Sequence, residues 1–167
     1  MADTVPSNRA DHFAASYDLT TKIISAVVIV FPLIVGAVVH NIFIGGLAFL
    51  IVFFAFAYSP KAYVVSDRAI EVERLIGNVQ VPLEDVRETR RINTDDLRGC
   101  IRLWGSGGLF GYYGLFRTAR LGRCTWYVTN RKNVVVIIAQ SKTTLYSPDD
   151  VDGFLEAMRA AMPAREA

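Results

Sequence analysis

Only two histidines occur in the 167 residues, His12 and His40. Neither lies between Ser59 and Ala167, so that stretch by itself holds no Ser-His-Asp or Cys-His arrangement and no His-containing zinc site. The adjacent acids Asp95-Asp96 precede Leu97-Arg98-Gly99 and read as a solvated loop, while Asp149-Asp150 read as charge at a helix start. Cys100 and Cys124, with no Cys-x-x-Cys spacing, read as packing thiols of a reducing compartment. The run Gly105-Ser106-Gly107-Gly108-Leu109-Phe110-Gly111 invites a nucleotide reading but lacks a Gly-Lys-Ser/Thr ending. The third glycine of a dinucleotide fingerprint would fall on Phe110, and no strand-to-long-helix junction surrounds it. No catalytic residue, metal or cofactor is expected, and the chain reads as non-enzymatic.

Two groups of residues could instead make contacts. The glycine-rich stretch is expected to be a flexible loop presenting Leu109, Phe110, Tyr112, Tyr113 and Phe116. These side chains suit a partner contact, a plug for the domain core or insertion at a membrane interface, and the glycines tilt the reading towards contact. The second group is basic. From Val86 to Lys132 there are ten Lys/Arg against Glu88, Asp95 and Asp96, whereas the whole chain carries only +2. Arg87, Arg90, Arg91, Arg117, Arg120, Arg123, Arg131 and Lys132 are candidates for contact with anionic lipid. Strand alternation would point Arg90 and Arg91 to opposite faces, so one patch and scattered solubilising charge both remain open. The modest net charge argues against a nucleic-acid partner.

What must position these groups is divided in two. No charged residue lies between Ile23 and Tyr58. The block reads as two 17-residue apolar runs, Ile23–Val39 and Ile42–Tyr58, joined by His40-Asn41. Each would span about 25 Å as a helix, near the lower limit for a ~30 Å hydrocarbon core. A transmembrane helical hairpin over residues 23–58 is therefore expected, with the polar pair His40 and Asn41 as its turn outside the bilayer. Pro32 would kink the first helix, and Gly36, Gly45 and Gly46 would let the backbones approach. A cleaved signal peptide is disfavoured, because Asp3, Asp11 and Asp18 precede the apolar run. Lys22, Lys61 and Arg68 flank the spans and the turn has no Lys or Arg, so both termini are expected in the cytoplasm of a multi-pass inner-membrane protein. Residues 1–22 would be an N-terminal cytoplasmic tail.

Residues 59–167 read as one cytoplasmic domain of α+β class, a bent antiparallel sheet of about seven strands capped by a C-terminal amphipathic helix. Strand patterns occur at Ala62–Ser66, at Ile70 and Val72, and at Val79–Leu83, then at Val86–Ile92, Ile101–Leu103, Cys124–Thr129, Val134–Gln140 and Thr143–Tyr146. Asn130–Asn133 is expected to be a hairpin loop. Ser147-Pro148-Asp149-Asp150 reads as a helix start with Ser147 as N-cap, before the stripe Val151, Phe154, Leu155, Met158 and Met162.

Four segments carry a resemblance: Ala62–Ile76 (AYVVSDRAIEVERLI), Gly105–Gly114 (GSGGLFGYYG), Gly122–Thr129 (GRCTWYVT) with Val134–Ile138, and Ser147-Pro148-Asp149 before a helix holding Phe154. On these the chain resembles the bacterial pleckstrin-homology-like domain proteins with an N-terminal two-helix membrane hairpin. The resemblance implies a membrane-tethered scaffold or interaction domain, often self-associating, acting with another membrane or cytoplasmic protein. The inositol-phosphate binding of eukaryotic pleckstrin-homology domains is not carried over, since the first hairpin turn offers only Arg68.

Overall fold

The computed structural model describes residues 10–39, 42–84 and 86–162. His40 and Asn41, the expected membrane turn, lie outside the described residues. In chain order the elements are β1 (Ala10–Ala14), α1 (Leu19–Val39), α2 (Ile42–Ala57), β2 (Ala62–Ser66), β3 (Ala69–Glu73), β4 (Val79–Pro82) and β5 (Val86–Arg91). A single 3-10 turn, Thr94–Leu97, follows. Then come β6 (Ile101–Gly108), β7 (Gly111–Thr118), β8 (Gly122–Val128), β9 (Val135–Ala139), β10 (Thr143–Tyr146) and α3 (Val151–Ala161). The class is α+β as expected, with ten strands among the described residues.

β1 to β4 form a four-stranded antiparallel meander; the other six strands lie in the order β5-β9-β10-β8-β7-β6. The sequence expectation of a tail through residue 22 is corrected here. Ala10–Ala14 pair with Ser66–Ala62 in antiparallel register, Ala10 opposite Ser66 and Ala14 opposite Ala62. β1 and β2 are thus the two arms of one hairpin, and α1 and α2 are inserted between them. Beyond the pairing, Ala15 N–H donates to the Lys61 carbonyl at 3.2 Å, so the chain leaves for the helices and returns at nearly the same point.

α1 starts at Leu19, capped by Asp18, whose carboxylate accepts from Thr21 N–H at 2.6 Å. Its 21 residues span about 32 Å and α2's 16 about 24 Å. Among the described residues one helix, α1, is long and apolar enough to cross a membrane. The helices pack on each other with Gly36 facing Gly45, where an added Cβ would sit 3.6 Å from the neighbouring Cα. Many of their large apolar side chains, such as Phe31, Phe43 and Phe49, point outward.

Two cores share the six-stranded sheet, and alternation divides them. Val135, Ile137, Tyr146 and Tyr127 point to one face and pack with Tyr63, Ile70, Val72, Phe154 and Met158. Val136, Leu145, Trp126 and Phe116 point to the other and are closed by Leu97. This explains the unbroken apolar run of β9, which is buried on both faces. α3 lies against β2 and β5, closing the seam between the sheets with the stripe read from its sequence.

Two local readings are corrected. Asn130–Asn133 is not a hairpin loop, because β10 lies between β8 and β9, antiparallel to β9 and parallel to β8. Ser147 is not the N-cap; Asp150 is, accepting from Gly153 N–H at 2.9 Å. Ser147 is buried instead, and its Oγ accepts from Thr129 N–H at 2.8 Å and Asn130 N–H at 3.2 Å. Tyr63 completes this polar knot, and burial pushes its phenol up to about 12.

Candidate functional site

The glycine-rich stretch is a β-hairpin rather than a flexible loop. β6 and β7 pair from Ile101 opposite Arg117 to Gly108 opposite Gly111, turning on Leu109-Phe110. Gly105 and Gly114 face each other with φ of +106° and +121°, and a Cβ on either would overlap the opposing backbone. These glycines serve the close approach of two strands, so backbone freedom is not what they signal.

The hairpin tip docks on the base of the helix pair. Phe110 N–H donates to Ser25 Oγ at 2.9 Å, and its ring meets Phe56 edge-on at 5.2 Å and Tyr17 at 6.3 Å. Gly108 lies against Ile24. Tyr113 reaches the other helix, its hydroxyl donating to the Ala55 carbonyl. The proposed contact set is therefore split. Leu109, Phe110 and Tyr113 are half-buried, with Phe110 and Tyr113 on the helices, while Tyr112 and Phe116 are buried in the second core, Phe116 stacked on Trp126 at 4.5 Å. None of the five is exposed.

The exposed apolar residues of this hairpin are ones the sequence reading did not single out. β6 is an edge strand, and Ile101, Leu103 and Trp104 stand open on it, Trp104 at 79% exposure. Trp104 lies opposite Leu115 and so shares its sheet face with Tyr113. The signal was present as the apolar residues Ile101, Leu103 and Trp104 in one short run, but composition alone cannot tell an edge from a centre.

The basic residues do not converge on one surface. Arg90 lies opposite Val136 and Arg91 opposite Val135, so they point to the two faces as alternation requires. Arg90 and Arg120 approach the same carboxylate, Asp96, at 2.9 and 3.5 Å, and Arg90 also meets Glu88 at 3.0 Å. Arg131 stacks over Tyr112 with its guanidinium 5.3 Å from the ring centre. On that face Cys100, Arg102, Tyr112 and Arg131 line a shallow groove of about 300 Å³. Arg117 and Arg123 are direct cross-strand neighbours on the opposite face, both exposed. Arg87, Arg91 and Lys132 are exposed elsewhere, on β5 and on the connection after β8.

Asp96 is a correction to the solvated-loop reading: its side chain is 7% exposed. The hydrogen bond from Arg90 outweighs the burial that opposes it and, with Asn93 N–H, holds Asp96 below the ordinary carboxylate range. A depressed carboxyl stabilises the fold fully above its unfolded value near 4, and that contribution is lost as pH falls through the folded value. Denaturation midpoints measured from pH 5 downward should therefore fall less steeply in Asp96→Asn than in the wild type. Identical slopes would remove the ion cluster from the stability of the domain. The other acid pair is structural. Asp149 accepts from Ser16 N–H at 3.1 Å and from Ser16 Oγ at 2.6 Å, fixing the N-terminal segment to the start of α3.

His12 is on β1, with Nε2 3.1 Å from Glu73 Oε2 on the sheet surface, not in a tail. Cys124 is buried and accepts from Trp126 Nε1–H at 3.1 Å, while Cys100 is half-buried; burial raises both thiols.

The arrangement offers an open strand edge and divided charge on a domain rooted at a helix pair. Neither a curated protein nor a solved structure matches the chain. A family model described as "Bacterial PH domain" matches residues 61–162, from the strand that follows α2 to the end of α3. That match spans more than half of the chain, taking in β2 to β4 of the meander, the second sheet and the closing helix, so the chain belongs to the bacterial PH domain family.

Proposed function

We propose that this chain is a membrane-anchored, non-enzymatic interaction module that self-associates or recruits a protein at the cytoplasmic face of the bacterial inner membrane. The family supports a protein- or lipid-interaction module. The anchor is supported by the β1–β2 pairing. Two paired strands lie on one side of any bilayer, so a chain that leaves β1 through α1 must return through α2 before β2. α2 is short for a full span, which thinning of the bilayer or flanking side chains accommodates at modest cost. Lys22, Lys61 and Arg68 beside the helix ends favour the cytoplasm for both termini. A Cys placed at Asn41 is then expected to react with an impermeant thiol reagent from outside, and reaction only from inside would invert this reading.

The observation that carries the interaction role is the edge of β6, which no described strand covers, with Ile101, Leu103 and Trp104 exposed on it. Trp104→Ser in the full chain should lower its assembly state or its capture of a partner. An exposed site predicts a stability change within about 0.5 kcal/mol. Unchanged assembly would exclude this edge. The second reading, anionic-lipid contact through the Arg-rich surface, is favoured by the exposed, facing pair Arg117 and Arg123. It predicts lipid binding that weakens with salt, which the edge contact does not.

A further inference from the structure

The base of the helix pair holds a second feature. Lys61 N–H donates to the Glu73 carbonyl at 2.8 Å, one residue off the register that pairs Ala62 with Glu73, so a bulge at the end of β2 brings Lys61 beside Glu73 and next to Arg74. Neither cation has an acidic partner among the described residues. Lys61 Nζ sits 3.4 Å from the Phe56 ring centre and donates to Tyr17 Oη at 2.9 Å. The Arg74 guanidinium lies 4.9 Å from the Tyr127 ring centre, and its buried Nε has no hydrogen-bond partner. Aromatic faces support both charges, and no acidic side chain among the described residues pairs with either.

The level of this pair along the helices is fixed by the next residues. Ile76 N–H donates to the carbonyl of Ala57, the last residue of α2, at 3.1 Å. Leu75 and Ile76 thus lie beside the final turn of α2, yet both are exposed, Leu75 at 57%. Two open aliphatic side chains continuous with an apolar helix pair, next to two cations without an acidic partner among the described residues, match the layering of a phospholipid surface.

We propose that the Arg74–Asn78 turn is seated in the headgroup layer, with Leu75 and Ile76 in its apolar margin and a lipid phosphate held between Lys61 and Arg74. The proposal rests on the membrane reading of α1 and α2 given above. It concerns neither the Arg117–Arg123 surface nor the β6 edge.

The test uses the full chain reconstituted in vesicles of phosphatidylcholine and phosphatidylglycerol. An environment-sensitive fluorophore is attached to Leu75→Cys, to Phe49→Cys in the middle of α2 and to Asp67→Cys on the far turn of β2 and β3. Cys100→Ser is the background, and Cys124 is buried. Quenching by spin-labelled lipid is expected at positions 49 and 75 and not at 67. Quenching at 49 alone overturns the seating of the turn while leaving the helices in the bilayer. A probe at 75 shielded from water but unquenched by lipid overturns it in favour of a protein contact. No quenching at 49 removes the membrane reading, and the proposal with it.

A second measurement reads the phosphate. The wild type is expected to prefer spin-labelled phosphatidylglycerol to phosphatidylcholine at its boundary. Lys61→Gln/Arg74→Gln should reduce that preference by at least about fivefold, one cation's contribution, while Lys61→Arg/Arg74→Lys retains it. An unchanged preference in the Gln variant, or its loss in the charge-retaining variant, overturns the headgroup assignment.

Discussion

A soluble form in which a short Gly/Ser linker joins Asp18 to Tyr58 in place of α1 and α2 should fold, and trimming its first 15 residues should destabilise it. The linker is short because Ala15 and Lys61 are hydrogen-bonded neighbours, and Tyr17 Oη lies 2.8 Å from Ser59 Oγ. Trimming removes β1 and with it the ring of Phe13, which meets Phe154 edge-on at 5.3 Å. Half-burying that ring is worth about 1 kcal/mol, and each lost strand hydrogen bond about 0.5–1.5 kcal/mol. The ordering entropy of five residues, roughly 1–2 kcal/mol each, opposes these gains, and the expected direction is a loss of stability on trimming. Trimming also bares the edge of β2, so the shortened domain should associate at concentrations where the linked form stays monomeric. Chemical denaturation and solution mass measure the two effects. Equal stability with and without β1 would mean that the strand merely rests on the sheet.

In the same linked form, Phe154→Ala is expected to be the most damaging single substitution. Phe154 is fully buried at the point where α3 meets β1 and β2, with rings of Tyr63 and Tyr146 each 6.2 Å from its centre. Truncating a buried Phe costs about 3–5 kcal/mol, out of a total stability of about 5–15 kcal/mol for a domain. The melting temperature should fall by about 10–20 °C. Phe154→Leu should recover a large part, since it refills volume but not the edge-to-face ring contacts, worth about 0.5–1.5 kcal/mol per pair. A loss below 1 kcal/mol in the Ala variant would mean that α3 does not close the seam between the sheets.

Both predictions show where sequence reading stopped. The α3 stripe was legible because Phe154, Leu155 and Met158 repeat within a single helix, whose period is local. β2 and β10 were legible for the same reason, as short alternating or apolar runs between turns. β1 was not: Ala-Asp-His-Phe-Ala is weakly patterned, and its partner strand starts 48 positions after its own closing residue, Ala14 pairing with Ala62. β7 was hidden by glycines that read as turn signals, although in the fold they allow two strands to touch.

The candidate contacts divide on the same line. That Leu109, Phe110, Tyr112, Tyr113 and Phe116 would be either core or contact side chains was readable from residue type. That Tyr112 and Phe116 face the second core while Tyr113 faces α2 depends on strand register. The ten basic residues could be counted from sequence, but burial of Asp96 beneath two of them could not, because Arg120 reaches that carboxylate from the β7–β8 turn, 24 positions away.

By itself, then, the sequence determined the elements whose signal is carried by neighbours a few positions apart: a charge-free helical block, most strands, the amphipathic closing helix and the absence of a histidine-based site between Ser59 and Ala167. Only the tertiary structure decided which strands pair, that the helices interrupt a hairpin, that β6 is an edge, and that Lys61 and Arg74 come together at the ends of β2 and β3 beside the end of α2. Periodicity fixes which side of an element is apolar, whereas pairing and edge position are set by contacts between residues far apart in the chain.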